Sequence, residues 1–358
     1  MSGDPNAFIN INNTYKKISE IHVNVNGQWK KAKEGYILNN GTWKNFFNSL
    51  SNSTWVAAGH GASLNAENAG SWTASTMSTS SKASGVSYGD NKFVSVSQSS
   101  AYPYKTSMCS YSIDGLNWVD SSMPTSEMWT DIVYGDGKFV AIATSPAGAY
   151  SADGISWTAS TMPSYSYWQS IAYGAGLFVA IASSSSIAAY SADGISWTAS
   201  TMPSSSFYSA ITYGNGKFVA VSYGRDSAYS TDGVTWTGTT IPVLDAYSIY
   251  WQSIAYGNGK FVAVSLLNYS GFTPVAHSTD GVSWTLSEMP IRAEWRAISY
   301  GNGKFVAIGF ASYPDEYVAS SIDGITWTYY SSSINLNYNY SFGSATTGSH
   351  LLANSTGI

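Results

Sequence analysis

From about residue 50 onward, apolar and polar positions fall into a short cycle that recurs along the chain. In one copy an alternating segment, "QSIAY" (169–173), leads into a nearly continuous apolar run, "LFVAIA" (177–182), followed by "AAYS" and "ISWTAS". Alternation suits a strand with one face toward a core, and a short unbroken apolar run suits a strand buried on both faces. Small turn residues stand between the first two segments. Between the last two comes Asp-Gly, a strong hairpin signal because glycine accepts positive φ cheaply. Each cycle thus predicts four short antiparallel strands, lettered A to D below.

Two motifs mark the cycle. "YGNGKFVAV" and its variants begin at Tyr88, Tyr134, Tyr173, Tyr213, Tyr256 and Tyr300. S-x-D-G-x-x-W places aspartates at Asp114, Asp153, Asp193, Asp232, Asp280 and Asp323, successively 39, 40, 39, 48 and 43 residues apart. That period is the length of a four-stranded propeller blade. Worn copies flank the six strict ones. "NAENAGSWTAS" (65–75) keeps Trp72 of a degraded Asp turn, and "YSFGSATTGSHLLANS" (340–355) has the outline of strand A, turn and strand B. The expectation is an all-β chain whose residues 49–358 form a seven-bladed β-propeller of four-stranded antiparallel blades. Chain-end strands would share the last blade and so remove an exposed edge. "TWVAAG" (54–59) and "HLLANS" (350–355) compete for strand B of that blade.

Residues 1–48 follow a different period, 14. "ININNTYKKI" (9–18), "VNVNGQWKKA" (23–32) and "ILNNGTWKNF" (37–46) align Tyr15, Trp29 and Trp43, as well as Lys16, Lys30 and Lys44. Asn26-Gly27 and Asn40-Gly41 are hairpin turns, and Asn12-Asn13 can serve likewise. Three hairpins bury little core alone. This β-hairpin repeat is therefore expected to be an attachment and assembly module that docks on a partner or oligomerises.

Composition narrows the function. Charged residues are 10% of the chain and aromatics 15%, with 27 Tyr and 14 Trp, which fits folded β structure. The net charge of −5 divides into +3 over residues 1–48, with six Lys against Asp4, Glu20 and Glu34, and −8 over the rest. A mildly acidic propeller with three arginines is a poor polyanion binder, so no nucleic-acid partner is expected. Cys109 has no partner for an internal disulfide. "MSGDPNAF" lacks a signal-peptide pattern, and no apolar run is long enough to span a bilayer as a helix. The expectation is synthesis in the cytoplasm without membrane insertion.

The repeated aspartate first suggests repeated chemistry. Six equivalent positions on six blades are too far apart to cooperate, however, and an Asp carboxylate can accept N–H bonds within its own turn while the Trp packs on a neighbouring strand. A structural role is expected, with no metal and no cofactor. His22, His60, His277 and His350 show no metal-ligand spacing, and neither GxSxG nor a phosphate loop occurs.

Binding is better supported. D–A and B–C connections share one end of the blades and vary in length and content, whereas the A–B and C–D turns are monotonous; variable loops on a rigid scaffold usually carry function. Five residues before each strand-A tyrosine of the second to sixth copies stands Trp129, Trp168, Tyr208, Trp251 or Trp295. They would form a broken ring able to stack on sugars, or else fill gaps between blades. The longest insertions supply Tyr102 and Tyr104, Tyr247 and Tyr250, Tyr269 and Phe272, and Tyr313, Asp315 and Tyr317. Tyrosine among Ser and Gly makes an adaptable recognition surface.

S-x-D-G-x-x-W resembles the Asp box of sialidase-like and related β-propellers, which usually has one more residue before its glycine. The full repeat is similar to those of bacterial and phage propeller proteins, and N-G-x-W-K in residues 1–48 is similar to short modules of bacteriophage tail and virion proteins. The resemblance implies an Asp turn at the blade periphery. Sialidase-type catalysis, as that family practises it, needs an arginine cluster from several blades, a tyrosine nucleophile and acidic partners. Only Arg225, Arg292 and Arg296 are present, two of them in one loop. The expected function is a noncatalytic bacteriophage virion protein, tail- or fibre-associated and oligomeric in the particle. Its N-terminal module would hold other virion proteins, and its propeller face would bind a host cell-surface glycan or protein. A purely structural baseplate, collar or capsid-decoration protein is the first alternative, and a sialidase-like glycan hydrolase the second.

Overall fold

The computed structural model describes residues 8–11, 14–17, 22–25, 28–31, 36–39, 42–45, 55–58, 62–68, 71–77, 81–183, 185–242, 249–266, 273–312, 315–332 and 343–346. The chain divides into two compact units, Met1–Ser53 and Thr54–Ile358.

The first unit contains three antiparallel hairpins: Phe8–Ile11 with Thr14–Lys17, His22–Val25 with Gln28–Lys31, and Tyr36–Asn39 with Thr42–Asn45. Tyr15 faces Asn10 across its ladder, Trp29 faces Asn24, and Trp43 faces Leu38, so the three aromatics occupy one register position.

The second unit is a β-propeller of seven four-stranded antiparallel sheets. Strand A of blades 1 to 6 spans Ser81–Gly89, Trp129–Gly135, Trp168–Gly174, Tyr208–Gly214, Trp251–Gly257 and Glu294–Gly301. The A strands of successive blades touch around the ring. Blade 7 is composite. Gly343–Thr346 supplies its strand A and pairs with Trp55–Ala58, which continues to Ala62–Asn68 and Ser71–Thr76. Strand B of this blade therefore comes from the N-terminal side; residues 350–355 lie outside the described residues. Gly343–Thr346 also touches the A strands of blades 1 and 6, closing the ring. The worn Asp turn expected at 65–75 is replaced by a short hairpin in which Asn68 pairs with Ser71.

Two repeated contacts set the spacing of the blades. Within each of blades 1 to 6 the strand-A tyrosine tilts over the fully buried strand-B phenylalanine, with ring centroids 4.7 Å apart for Tyr134–Phe139 and 4.8 Å for Tyr213–Phe218. Between blades, the same tyrosine of blades 2 to 6 lies on the glycine that ends strand A of the preceding blade. Tyr173 covers Gly135, Tyr213 covers Gly174 and Tyr256 covers Gly214. The core is accordingly interblade: Val179 and Ile181 of blade 3 pack with Tyr208, Phe218 and Trp236 of blade 4. Each fully buried aromatic of this kind contributes about 1.5–3 kcal/mol.

The A–B turns have two central residues at positive φ, as at Asn215 (47°) and Gly216 (73°). That is the turn the right-handed strand twist prefers.

Candidate functional site

The C–D connection is wider than the two-residue hairpin that Asp-Gly suggests. In blade 3, Ile187–Ser191 and Thr198–Thr201 are joined by a loop organised on Asp193. One carboxylate oxygen, Oδ1, accepts the N–H groups of Ile195 and Ser196, both at 2.8 Å, and the Ser191 hydroxyl at 2.9 Å; Ser191 Oγ in turn accepts the Gly194 N–H at 2.8 Å. The same bonds recur at Asp153, Asp232, Asp280 and Asp323, and Asp114 likewise accepts from Leu116, Asn117 and Ser112. The backbone donors hold the carboxyls of Asp153, Asp193, Asp232 and Asp280 down to about 2.

This turn is also a seam. Ser196 bridges to Thr161 of the preceding blade's outer strand, and Ser156 to Ser122. From the inner side, Lys217 of the blade 4 A–B turn donates to the Asp280 carbonyl of blade 5 at 2.8 Å. The aspartate shapes a loop that joins neighbouring blades. Among the described residues no group of three or more His, Cys, Asp or Glu is arranged to hold a metal ion.

The five aromatics expected to ring the mouth offer no face to a ligand. Trp129, Trp168, Tyr208, Trp251 and Trp295 are each 0% exposed. They stand first or, for Trp295, second in strand A with side chains turned into the interblade core, so the gap-filling alternative describes them, and the sugar-stacking assignment at these positions is corrected. Strand alternation turns the preceding residue to the opposite side. That residue is Tyr167, Phe207 or Tyr250 in blades 3, 4 and 5, exposed by 62%, 55% and 38%. Their carbonyls accept the N–H just past strand B, from Ser183 at 2.8 Å, Tyr223 at 2.9 Å and Leu266 at 2.9 Å, which fixes the backbone beneath each ring.

Large exposed apolar side chains segregate sharply among the described residues. Tyr102, Tyr104, Tyr165, Tyr167, Phe207 and Tyr250 all lie on D–A or B–C segments. The aliphatic ones, Ile113, Val119, Ile155, Ile195, Ile322 and Ile325, all lie at or beside C–D turns, at the other end of the strands. The variable end of the propeller is therefore the aromatic end. Tyr102 and Tyr104 meet edge to face with centroids 5.9 Å apart. Beside them Lys105 pairs with Glu127 at 2.9 Å, which raises the lysine pKa. Tyr317 is half-buried against the blade 6 core, edge-on to Tyr329 at 5.4 Å. Tyr247, Tyr269, Phe272 and Tyr313 lie outside the described residues, as does the side chain of Asp315.

A β-bulge directly after the buried aromatic of blades 2 to 6, and after Ala83 in blade 1, adds polar groups. The pairing register slips there in blades 1 to 6, and the extra residue is Ser84, Thr130, Gln169, Ser209, Gln252 or Arg296. In blades 1, 2 and 4 its hydroxyl clasps the next blade: Ser84 donates to the Trp129 carbonyl at 2.6 Å, Thr130 to Trp168 at 2.8 Å and Ser209 to Trp251 at 2.6 Å. Blades 3, 5 and 6 carry longer groups. Gln252 bonds the Tyr223 hydroxyl, whose ring sits 6.1 Å from Tyr250. Arg296 pairs with Glu294 at 2.6 Å and lies 5.6 Å over the Phe310 ring.

One carboxylate stands apart on the inner wall. Asp131, next after the blade 2 bulge, takes the place held by Ser170 in blade 3 and Ser253 in blade 5. It accepts from Ile132 N at 2.8 Å, Ser170 Oγ at 2.9 Å and Ile171 N at 3.0 Å, yet loss of solvent pushes its pKa up to about 6.

No protein-family model and no curated protein matches the chain. Solved propeller structures do resemble it. Virginiamycin B lyase from Staphylococcus aureus matches with TM-score 0.59 and 16% identity, over 71% of this chain and 85% of the lyase. A streptogramin B lyase matches with TM-score 0.60 and 11% identity, over 79% and 89%. YCF48 bound to a D1 peptide matches with TM-score 0.56 and 15% identity, over 73% and 86%. At these identities the likeness is one of fold, shared by enzymes and by a peptide-binding protein alike.

Proposed function

We propose that this protein is a noncatalytic binding protein of a bacteriophage particle, whose propeller holds a host-surface glycan on its aromatic end. The observation that carries the reading is the segregation of exposed rings onto the variable end, with Tyr167, Phe207 and Tyr250 at one position of three consecutive blades. Rings whose backbone is pinned beside strand B cost little entropy on binding. The virion assignment rests on the likeness of the residue 1–48 hairpin repeat to phage tail modules, and it gives that module the task of holding other virion proteins.

A noncatalytic role is favoured over hydrolysis because Arg296 is engaged by Glu294 and Phe310. Incubating the full chain with purified host cell-surface polysaccharide tests all three readings. Co-precipitation without release of reducing ends is the expected result. Release of reducing ends would establish the hydrolase, and neither outcome would leave the purely structural virion role.

A further inference from the structure

Resting on that reading, we infer that the ligand is an uncharged polysaccharide, held across blades 3 to 6 with rings stacking on sugar faces and bulge side chains bonding sugar hydroxyls. The two parts of this site have different origins in the chain. Tyr167, Phe207 and Tyr250 are exposed because each precedes a fully buried strand-A aromatic. Gln252 and Arg296 stand at the bulge two positions after such an exposed residue or its equivalent. Bulges re-aim side chains at sites of this kind. Flat apolar rings beside amide, guanidinium and carboxylate groups match the two surfaces of a sugar: C–H groups on its face, vicinal hydroxyls on its edge.

Cations of this end that are already ion-paired disfavour an acidic polymer. Arg296 is ion-paired with Glu294, and Lys105, toward the other side of the aromatic end, is ion-paired with Glu127. A polyanion would have to break these pairs and approach a region whose net charge is −8. Arg225 and Arg292 are exposed on the same end, but a neutral chain draws on the rings and the amide and paired groups rather than on those charges, so its binding should barely respond to salt.

Affinity electrophoresis of the full chain tests this, in gels containing neutral polysaccharide (galactomannan or xyloglucan) or acidic polysaccharide (hyaluronate or polygalacturonate). Retardation is expected in a neutral gel, unchanged between low salt and about 0.5 M. The triple variant Tyr167→Ala, Phe207→Ala, Tyr250→Ala should lose it, and Gln252→Ala should weaken it. The single variants, each removing one solvent-exposed ring, give the same reading should the triple variant fail to fold. Retardation only by acidic polymers, fading with salt, would overturn neutrality while leaving glycan binding in place. No retardation in any gel, together with capture of a peptide or protein ligand by the same face, would overturn the glycan reading as well. Unchanged retardation of the triple variant would remove the site from these blades.

Discussion

The ring of Tyr256 lies directly on Gly214, so that a β-carbon on the glycine would stand 2.0 Å from Tyr256 Cγ. The same pairing joins Gly89 to Tyr134 and Gly257 to Tyr300, so the Tyr-Gly dipeptide of blades 2 to 5 is half of two interfaces at once. Its tyrosine covers the blade before, and its glycine receives the blade after. Replacing Gly214 with alanine forces the ring off its strand-B phenylalanine and opens the seam. An overpacked core of this kind costs about 1–3 kcal/mol. Thermal unfolding of Gly214→Ala should show a clearly lower Tm, whereas Gly216→Ala, with nothing within 4 Å of its added carbon, should be limited to the strain of its positive φ of 73°.

The Asp turns make stability depend on acid. A carboxyl lowered to about 2, as at Asp193, has an unfolded value near 3.9. Its contribution is fully present above about 4 and is lost as pH falls through about 2. Asp193→Asn keeps an acceptor oxygen but removes the charge. The variant should melt below the parent at pH 7, and the gap should close as pH is lowered to about 2, a trend readable in parallel acid and thermal titrations.

Asp131 should behave in the opposite sense. Its pKa of about 6 lies above the unfolded value, so its stabilising contribution is full below about 4 and is lost as pH rises through about 6. Asp131→Ser installs the residue that blades 3 and 5 use at this place. The stability difference between variant and parent should shift in the variant's favour as pH rises from about 4 to about 7. A pH-independent difference would show that solvent reaches the carboxylate freely.

Much of this architecture is written in the residues themselves. Tyr-Gly turns, apolar B strands and Asp-Gly loops each report a local requirement that recurs with the blade, so strand order and blade number follow from counting. Blade 7 is harder because Gly343–Thr346 and Trp55–Ala58 meet only through ring closure, which leaves no local signature. The exposed rings are displaced by a single residue from the buried ones. Trp168 and Tyr167 are equally aromatic in the sequence, and only the direction in which strand A enters the core decides which is buried. The bulge at Gln169 or Gln252 is likewise silent in sequence, because no glycine or other turn residue marks the register slip.

That one-residue difference gives the most discriminating prediction. Trp168 is fully buried, with its Nε1–H donated to the Ser164 carbonyl at 3.3 Å, and Trp168→Ala should cost about 3–5 kcal/mol, as large-to-small changes in aromatic cores do. Tyr167, its neighbour, is exposed, and Tyr167→Ala should stay within about 0.5 kcal/mol of the parent. Polysaccharide retention should reverse the order: Tyr167→Ala weakens it at unchanged Tm, whereas a Trp168→Leu variant that remains folded retains it. If retention instead follows Trp168 and ignores Tyr167, the interblade aromatics rather than the exposed arc contact the ligand, and the inner strands must part to admit it.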